Sequence, residues 1–295
     1  MKRPAVFLCV CLLFSTGLLE AKGSSAGQAQ TQGSRTAQDY ANNAFSEMEE
    51  AFFQQETTLL DAYYLGRAVA ANIFNYYKPY TANMALISYV NSICQTIVIN
   101  SSYPDIFNGY HVILLDSPEF NAFASPGGHI FLTRALVEAA ASEDMLAAII
   151  AHELAHIMLK HSLSIIDNFR FYNEMSSMAD RAAQLAGYTE AAARYLYFRN
   201  SVTATIDALL INGFSQDQEF EADAGAVVLM AAAGYNPISL LEMLSILQRI
   251  QSSQKGGFNA THPSPAQRTE NARKYVTLYT VQDTRARRAA RFKNK

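Results

Sequence analysis

The sequence predicts an α+β protein, predominantly helical, with one small sheet or hairpin beside a buried helix. Three observations lead there. Apolar residues recur at three- and four-residue steps, as in Phe45, Met48, Phe52, Leu59, Leu60, Tyr63 and Tyr64, the spacing of a helix with one buried face. Convincing strand character is confined to residues 110–133. The apolar run Met145–Leu159 (MLAAIIAHELAHIML) carries two histidines and a glutamate in a segment otherwise fit for a protein core.

Half of the 295 residues are hydrophobic, ample for a sizeable core. Lys and Arg number 23 against 26 Asp and Glu, so no global charge draws the chain to nucleic acid or an anionic membrane. Its start departs from that average. Lys2 and Arg3 precede an apolar run from Ala5 to Leu19 and a small residue at Ala21, the layout of a secretory signal peptide over residues 1–21. A membrane anchor is the rival, but the run falls short of about 20 apolar residues. Removal of the leader takes Cys9 and Cys11 with it and leaves Cys94, expected as an inert buried thiol. Residues 22–38, rich in Gly, Ser and Gln, read as a disordered linker.

One folded domain is expected over residues 39–282. Residues 39–77 and 82–99 carry the periodicity of amphipathic helices. Tyr110–Leu115 reads as a strand, and the segments 120–124 and 128–133 read as a hairpin around Pro126-Gly127-Gly128, where a tight turn needs positive φ. Arg134–Ala141 forms a short helix, and Ser142 caps the next one. That helix is expected to run on through Lys160 and His161; His161 would then sit about 140° round from His156, structural or solvent-facing. Residues 162–217 read as alanine-rich helices and loops, a candidate lid. A second site helix spans 216–233, a leucine-striped helix follows Pro237, and a last one starts near Pro265. The run 283–295 is a basic tail, solvated or in peripheral contact with a membrane or envelope protein. No internal repeat is visible, so no appended repeat module is expected.

His152 and His156 are four apart and share a helix face, with Glu153 beside them. In H-E-x-x-H, two imidazoles hold zinc and the glutamate handles the proton of a water bound to it. A third ligand must come from elsewhere, and by residue type Glu219, Glu221, Asp223 and His262 all qualify. Without four cysteine-rich ligands a closed structural zinc site is disfavoured. Glu153 is the expected general base. His262 or Arg268 is the expected donor to the tetrahedral oxyanion; alternatively His262 fills the fourth zinc position at rest.

His152-Glu153-x-x-His156 followed by Glu219-x-x-Ala222-Asp223 resembles the M48 family of zinc metallopeptidases, and the resemblance runs from Ala82 to Tyr275. It is to the short exported type without a repeat domain. The resemblance implies a zincin-like fold and one Zn2+ per chain held by His152, His156 and Glu219, with Glu221 no ligand. Asp223 would accept the N–H of a ligand histidine. Asn121-Ala122-Phe123-Ala124 with Gly127 and Gly128 is similar to the family's strand pair beside the active site, which would bind substrate backbone as an added strand. Thr261-His262-Pro263 with Arg268 is similar to its loop after the zinc helices. The implied function is a periplasmic endopeptidase acting on unfolded or misassembled proteins, with protein or peptide substrates and no nucleic acid. The rival is an assembly factor that grips extended chains and seldom cuts them.

Overall fold

A computed structural model describes residues 56–104, 106, 108–163, 199, 202, 203, 205–251, 262, 265–280 and 284–293. The expected signal peptide, the linker, residues 39–55 of the first helix, residues 164–198 of the candidate lid and the loop from 252 to 261 lie outside the described residues.

Eight helices and three strands are described, in the order α1 (Glu56–Ile73), α2 (Met84–Ile99), β1 (His111–Leu115), β2 (Ala122–Ser125), β3 (His129–Thr133), α3 (Arg134–Ala139), α4 (Glu143–Met158), α5 (Gln216–Ala232), α6 (Ile238–Gln251), α7 (Pro265–Val276) and α8 (Arg285–Lys293). A π-helical turn, Ala208–Asn212, precedes α5. The α+β architecture and its helical bias are as predicted.

Local chemistry sets the helix starts. Asn83 caps α2 by accepting from the Leu86 N–H at 3.0 Å. Ser142 caps α4 by accepting from Met145 N–H at 3.2 Å. Ser215 and Gln218 form a reciprocal capping box at α5, which satisfies two otherwise orphaned amides. Every residue of α4 except Ile157 is buried. Around it pack α5, α6, α2 and β2.

The sheet order is β1-β3-β2. β3 pairs parallel with β1 and antiparallel with β2, so β2 is an edge. Alternation divides its faces: Ala122, Ala124, Ile130 and Leu132 join the core built on α2 and α4, whereas Phe123 and Phe131 stack at 5.1 Å in a second core with Leu65, Val69 and Ile73 of α1. The hairpin turn has positive φ at Gly127 (76°) and Gly128 (90°), which side chains rarely tolerate. The turn also meets α1 closely: a Cβ on Gly66 would fall 1.6 Å from the Pro126 carbonyl oxygen.

Two expectations need correction. The motif helix stops at Met158, and Lys160 turns the chain with φ of 57°. The basic run is no solvated tail: its residues 285–293 form α8. Arg288 Nε donates to Asp144 Oδ2 at 2.9 Å and Arg291 Nε to Glu143 Oε2 at 3.1 Å. Glu143 and Asp144 are themselves buried at the start of α4, where the positive helix end alone would leave two charges dehydrated. Among the described residues no helix is long and apolar enough to cross a membrane.

Candidate metal centre

α4 and α5 lie side by side, which brings His152 and His156 opposite Glu219, 63 residues past the second histidine (219 − 156). The two imidazole Nε2 atoms are 3.0 Å apart. Glu219 Oε2 is 3.5 Å from His152 Nε2, and Glu219 Oε1 is 3.5 Å from His156 Nε2. His262 completes the group: its Nδ1 stands 3.4 Å from His152 Nε2 and 2.7 Å from Glu219 Oε1. These four residues each offer one donor atom within 4.8 Å of the others, and all four are buried.

The spacing can be tested against coordination geometry. Two nitrogen or oxygen ligands about 2.0–2.1 Å from a tetrahedral ion lie about 3.3 Å apart, close to the separations observed. Charge agrees with distance. Glu153, Glu219 and Asp223 are buried with one buried guanidinium, Arg268, leaving two negative charges in excess when all are ionised. A divalent cation would offset them. The donors present therefore fit one divalent ion.

Asp223 faces the first histidine of the motif. Its Oδ1 is 3.0 Å from His152 Nδ1, so a neutral His152 would donate there and turn its Nε2 lone pair to the cluster. Arg268 is placed otherwise than expected. Its Nε and Nη2 donate to the two oxygens of Asp223 at 2.9 and 2.7 Å, and its Nη1 is 2.8 Å from Glu219 Oε2. A guanidinium committed to two carboxylates orients them; it is not an idle oxyanion donor. Burial opposes ionisation of Glu219, but His262, Arg268 and the two ligand histidines outweigh it and hold the carboxyl well below its usual range. Asp223 is lowered too, its burial overcome chiefly by Arg268. Burial and Arg268 both disfavour charge on His152, yet Asp223 and Glu219 push it up to about 9. Burial drives His156 the other way, well below the ordinary histidine value.

Glu153 differs from every other group here. It is fully buried, and among the described residues neither carboxylate oxygen has a hydrogen-bond partner. The nearest ion-pairing atom is His262 Nε2 at 3.8 Å. Burial raises its pKa, against the pull of His262 and His152. An unsatisfied buried carboxyl costs free energy, and beside a cluster of metal-ligand atoms it marks a group kept for a reacting partner.

The residues expected to bind substrate divide in two. Ala122, Phe123 and Ala124 lie on edge strand β2 and Asn121 just precedes it; all four are buried. The Ala122 carbonyl accepts from His262 Nε2 at 3.2 Å, and the Ala124 carbonyl from Ser162 Oγ at 3.2 Å. These two carbonyls, two residues apart, share one side of the strand, so both contacts cap the edge. Gly127 and Gly128 form the hairpin turn, where a Cβ on Gly127 would meet Tyr63 Cα at 2.9 Å and one on Gly128 the Gly109 carbonyl at 2.5 Å; Gly127 also lines one cavity with His156. They serve the turn and its packing.

Three residues at the site make contacts that sequence reasoning does not supply. Phe214 stacks on the His156 ring at 4.0 Å and 19°; nothing marks it in the sequence beyond its place just before the Ser215 cap. His161 is buried against His156, and Glu221 contacts His161. A histidine next to a two-histidine motif is the only available signal for this pair.

Two histidines on one buried helix and a carboxylate on a second form a cluster that could hold a metal ion, on a zincin-like fold. The chain belongs to peptidase family M48, whose model matches residues 86–276. It is similar to the beta-barrel assembly-enhancing protease of Escherichia coli K12, 25% identical over 197 residues, covering 66% of this chain and 40% of that protein. The Yersinia pestis protein of that name is 24% identical over 267 residues, 90% of this chain and 52% of the relative. The mitochondrial metalloendopeptidase OMA1 of Schizosaccharomyces pombe is 28% identical over 191 residues, 64% of this chain and 52% of the relative. The chain thus spans about half the length, or less, of these relatives.

Proposed function

We propose that this protein is an exported zinc-dependent endopeptidase that hydrolyses peptide bonds in unfolded or misassembled envelope proteins. The observation that carries the reading is Glu153, buried without a hydrogen-bond partner beside four convergent ligand atoms. Family membership and relatives named as a protease and a metalloendopeptidase support it. Export rests on the basic and apolar start of the chain, Lys2 to Leu19.

His152, His156 and Glu219 would hold the zinc. A zinc ion there supplies a lowered water pKa and polarisation of the scissile carbonyl. Glu153 takes the proton of the attacking water and passes it to the leaving amine; its lack of a competing hydrogen bond leaves both oxygens available. Asp223 fixes His152 in the Nδ1–H tautomer, and Arg268 holds Asp223 and Glu219 in register.

His262 is read as the resting occupant of the fourth ligand position. Its Nδ1 faces the cluster while its Nε2 donates to the Ala122 carbonyl. A peptide adding to the β2 edge would compete for that carbonyl and for the one held by Ser162. His262→Ala should therefore raise turnover; a fall would assign the residue to the oxyanion instead.

A casein degradation assay tests the activity. Wild type should cut and stop on addition of a chelator, and Glu153→Gln should lose at least a hundredfold in rate while retaining its metal. Protection of a substrate from aggregation, insensitive to chelator and without cleavage, would favour the assembly-factor reading.

A further inference from the structure

Each cluster-facing imidazole uses one ring nitrogen at the cluster and needs a partner for the other. His152 has Asp223, and His262 has the Ala122 carbonyl. Among the described residues, His156 has neither a carboxylate nor a carbonyl there. Its Nδ1 is 2.8 Å from Nδ1 of His161, and His161 Nε2 is 3.2 Å from Glu221 Oε2.

The local fold makes this contact. On a continuous helix His161 would point away from His156, but α4 ends at Met158 and Lys160 adopts φ of 57°. Left-handed backbone is uncommon for a lysine, whose Cβ crowds the following carbonyl there. That reversal returns His161 to the His156 ring, at a centroid distance of 4.9 Å, with His161 only 4% exposed. Phe214 covers the other side of the His156 ring.

We propose that His161 and Glu221 are positioning residues that set the tautomer and aim of His156. This rests on the reading that the cluster binds a metal. The direction of the chain follows from its last member. An ionised carboxylate only accepts hydrogen bonds, so Glu221 requires the His161 proton on Nε2. His161 Nδ1 is then an acceptor, and the His156 proton must lie on Nδ1. The His156 Nε2 lone pair is thereby left for the metal. In the opposite tautomer of His161, Nδ1 donates, the His156 proton is forced onto Nε2, and the ligand position is blocked. A remote carboxylate thus decides, through one intervening imidazole, whether His156 can ligate. The Glu221 side chain is 44% exposed, so its influence should be weaker than that of His161.

The test is zinc affinity of the purified full chain, measured by competition with a chromophoric chelator, together with the visible spectrum of the cobalt form. Loss of an outer partner of a ligand histidine costs about 10- to 100-fold in metal affinity. His161→Leu should fall in that range, and Glu221→Leu near its lower end. His161→Asn keeps an acceptor near the Nδ1 position and should recover affinity to within a few-fold of wild type, with the wild-type cobalt spectrum. A merely structural role would lower the metal-free Tm equally in His161→Leu and His161→Asn, without rescue of affinity by Asn; that result overturns the proposal. Wild-type affinity in both leucine variants overturns it as well. If wild type itself takes up neither zinc nor cobalt, the metal reading fails and the relay falls with it.

Discussion

Removing one member of a buried charge network costs more than the network itself contributes, because the remaining charges stay dehydrated and unpaired. Arg268 is the residue where this asymmetry is greatest, since it is 1% exposed and pairs with both Asp223 and Glu219. Arg268→Met should cost about 3–5 kcal/mol at neutral pH, read from urea unfolding in the presence of chelator. The deficit should be pH-dependent. Asp223 and Glu219 have folded pKa values below their ordinary 3.8 and 4.5, so the stability they confer is complete above those ordinary values. It is lost as pH falls through the lower folded values. The variant should therefore approach wild-type stability under acid conditions; a deficit that stays constant with pH would exclude the electrostatic cause. Cys94 gives an independent check on the core. Burial pushes its thiol up to about 12, leaving about one thiolate in ten thousand at pH 8. Iodoacetamide should leave it unmodified in the native protein and alkylate it in urea, as read by mass spectrometry.

Among the elements, α8 has a role that its composition hides. Six Lys and Arg residues between 285 and 295 suggest a solvated segment, yet Arg288 and Arg291 reach back nearly 150 residues to Asp144 and Glu143. Tyr89 Oη donates to Glu143 Oε2 at 2.9 Å from α2. The first turn of the ligand helix is thus held by α2 and α8 together. Arg288→Ala should destabilise the protein by about 3–5 kcal/mol, or about 6–20 °C in Tm for a chain of this size. An unchanged Tm would show that α8 is not a structural part of the domain. Gly66 makes the matching point for α1: Gly66→Ala must push the hairpin turn away from the helix, because the new carbon meets backbone rather than a flexible side chain. About 1–3 kcal/mol is expected from such overpacking, again by urea unfolding.

For the whole molecule, what the sequence reveals follows the range of the interaction. Four-residue spacing on a helix is local, and His152, His156 and the Ser142 cap are legible from it. So is the hairpin, because Pro126-Gly127-Gly128 leaves the backbone few alternatives. Glu219 needed the motif resemblance, since residue type alone leaves four candidates. Pairings across long separations are not legible: Arg268 with Asp223, 45 residues apart, and Arg288 with Asp144, 144 apart. Each arginine reads as available until the fold supplies its partner. His161 fails for another reason. No glycine or asparagine announces the left-handed turn at Lys160, so periodicity carries the helix too far and turns the ring away from His156. The centre itself draws on α4, α5 and the segment from His262 into α7, and is lost if any one is displaced.

His152, His156 and Glu219 are proposed to hold one metal ion between them. Metal analysis of the purified wild-type chain beside Glu219→Ala tests it directly. One zinc per wild-type chain, with metal lost from a variant that remains folded by circular dichroism, is the predicted result. Equal metal in the two proteins, or none in wild type under zinc-replete expression, would contradict it.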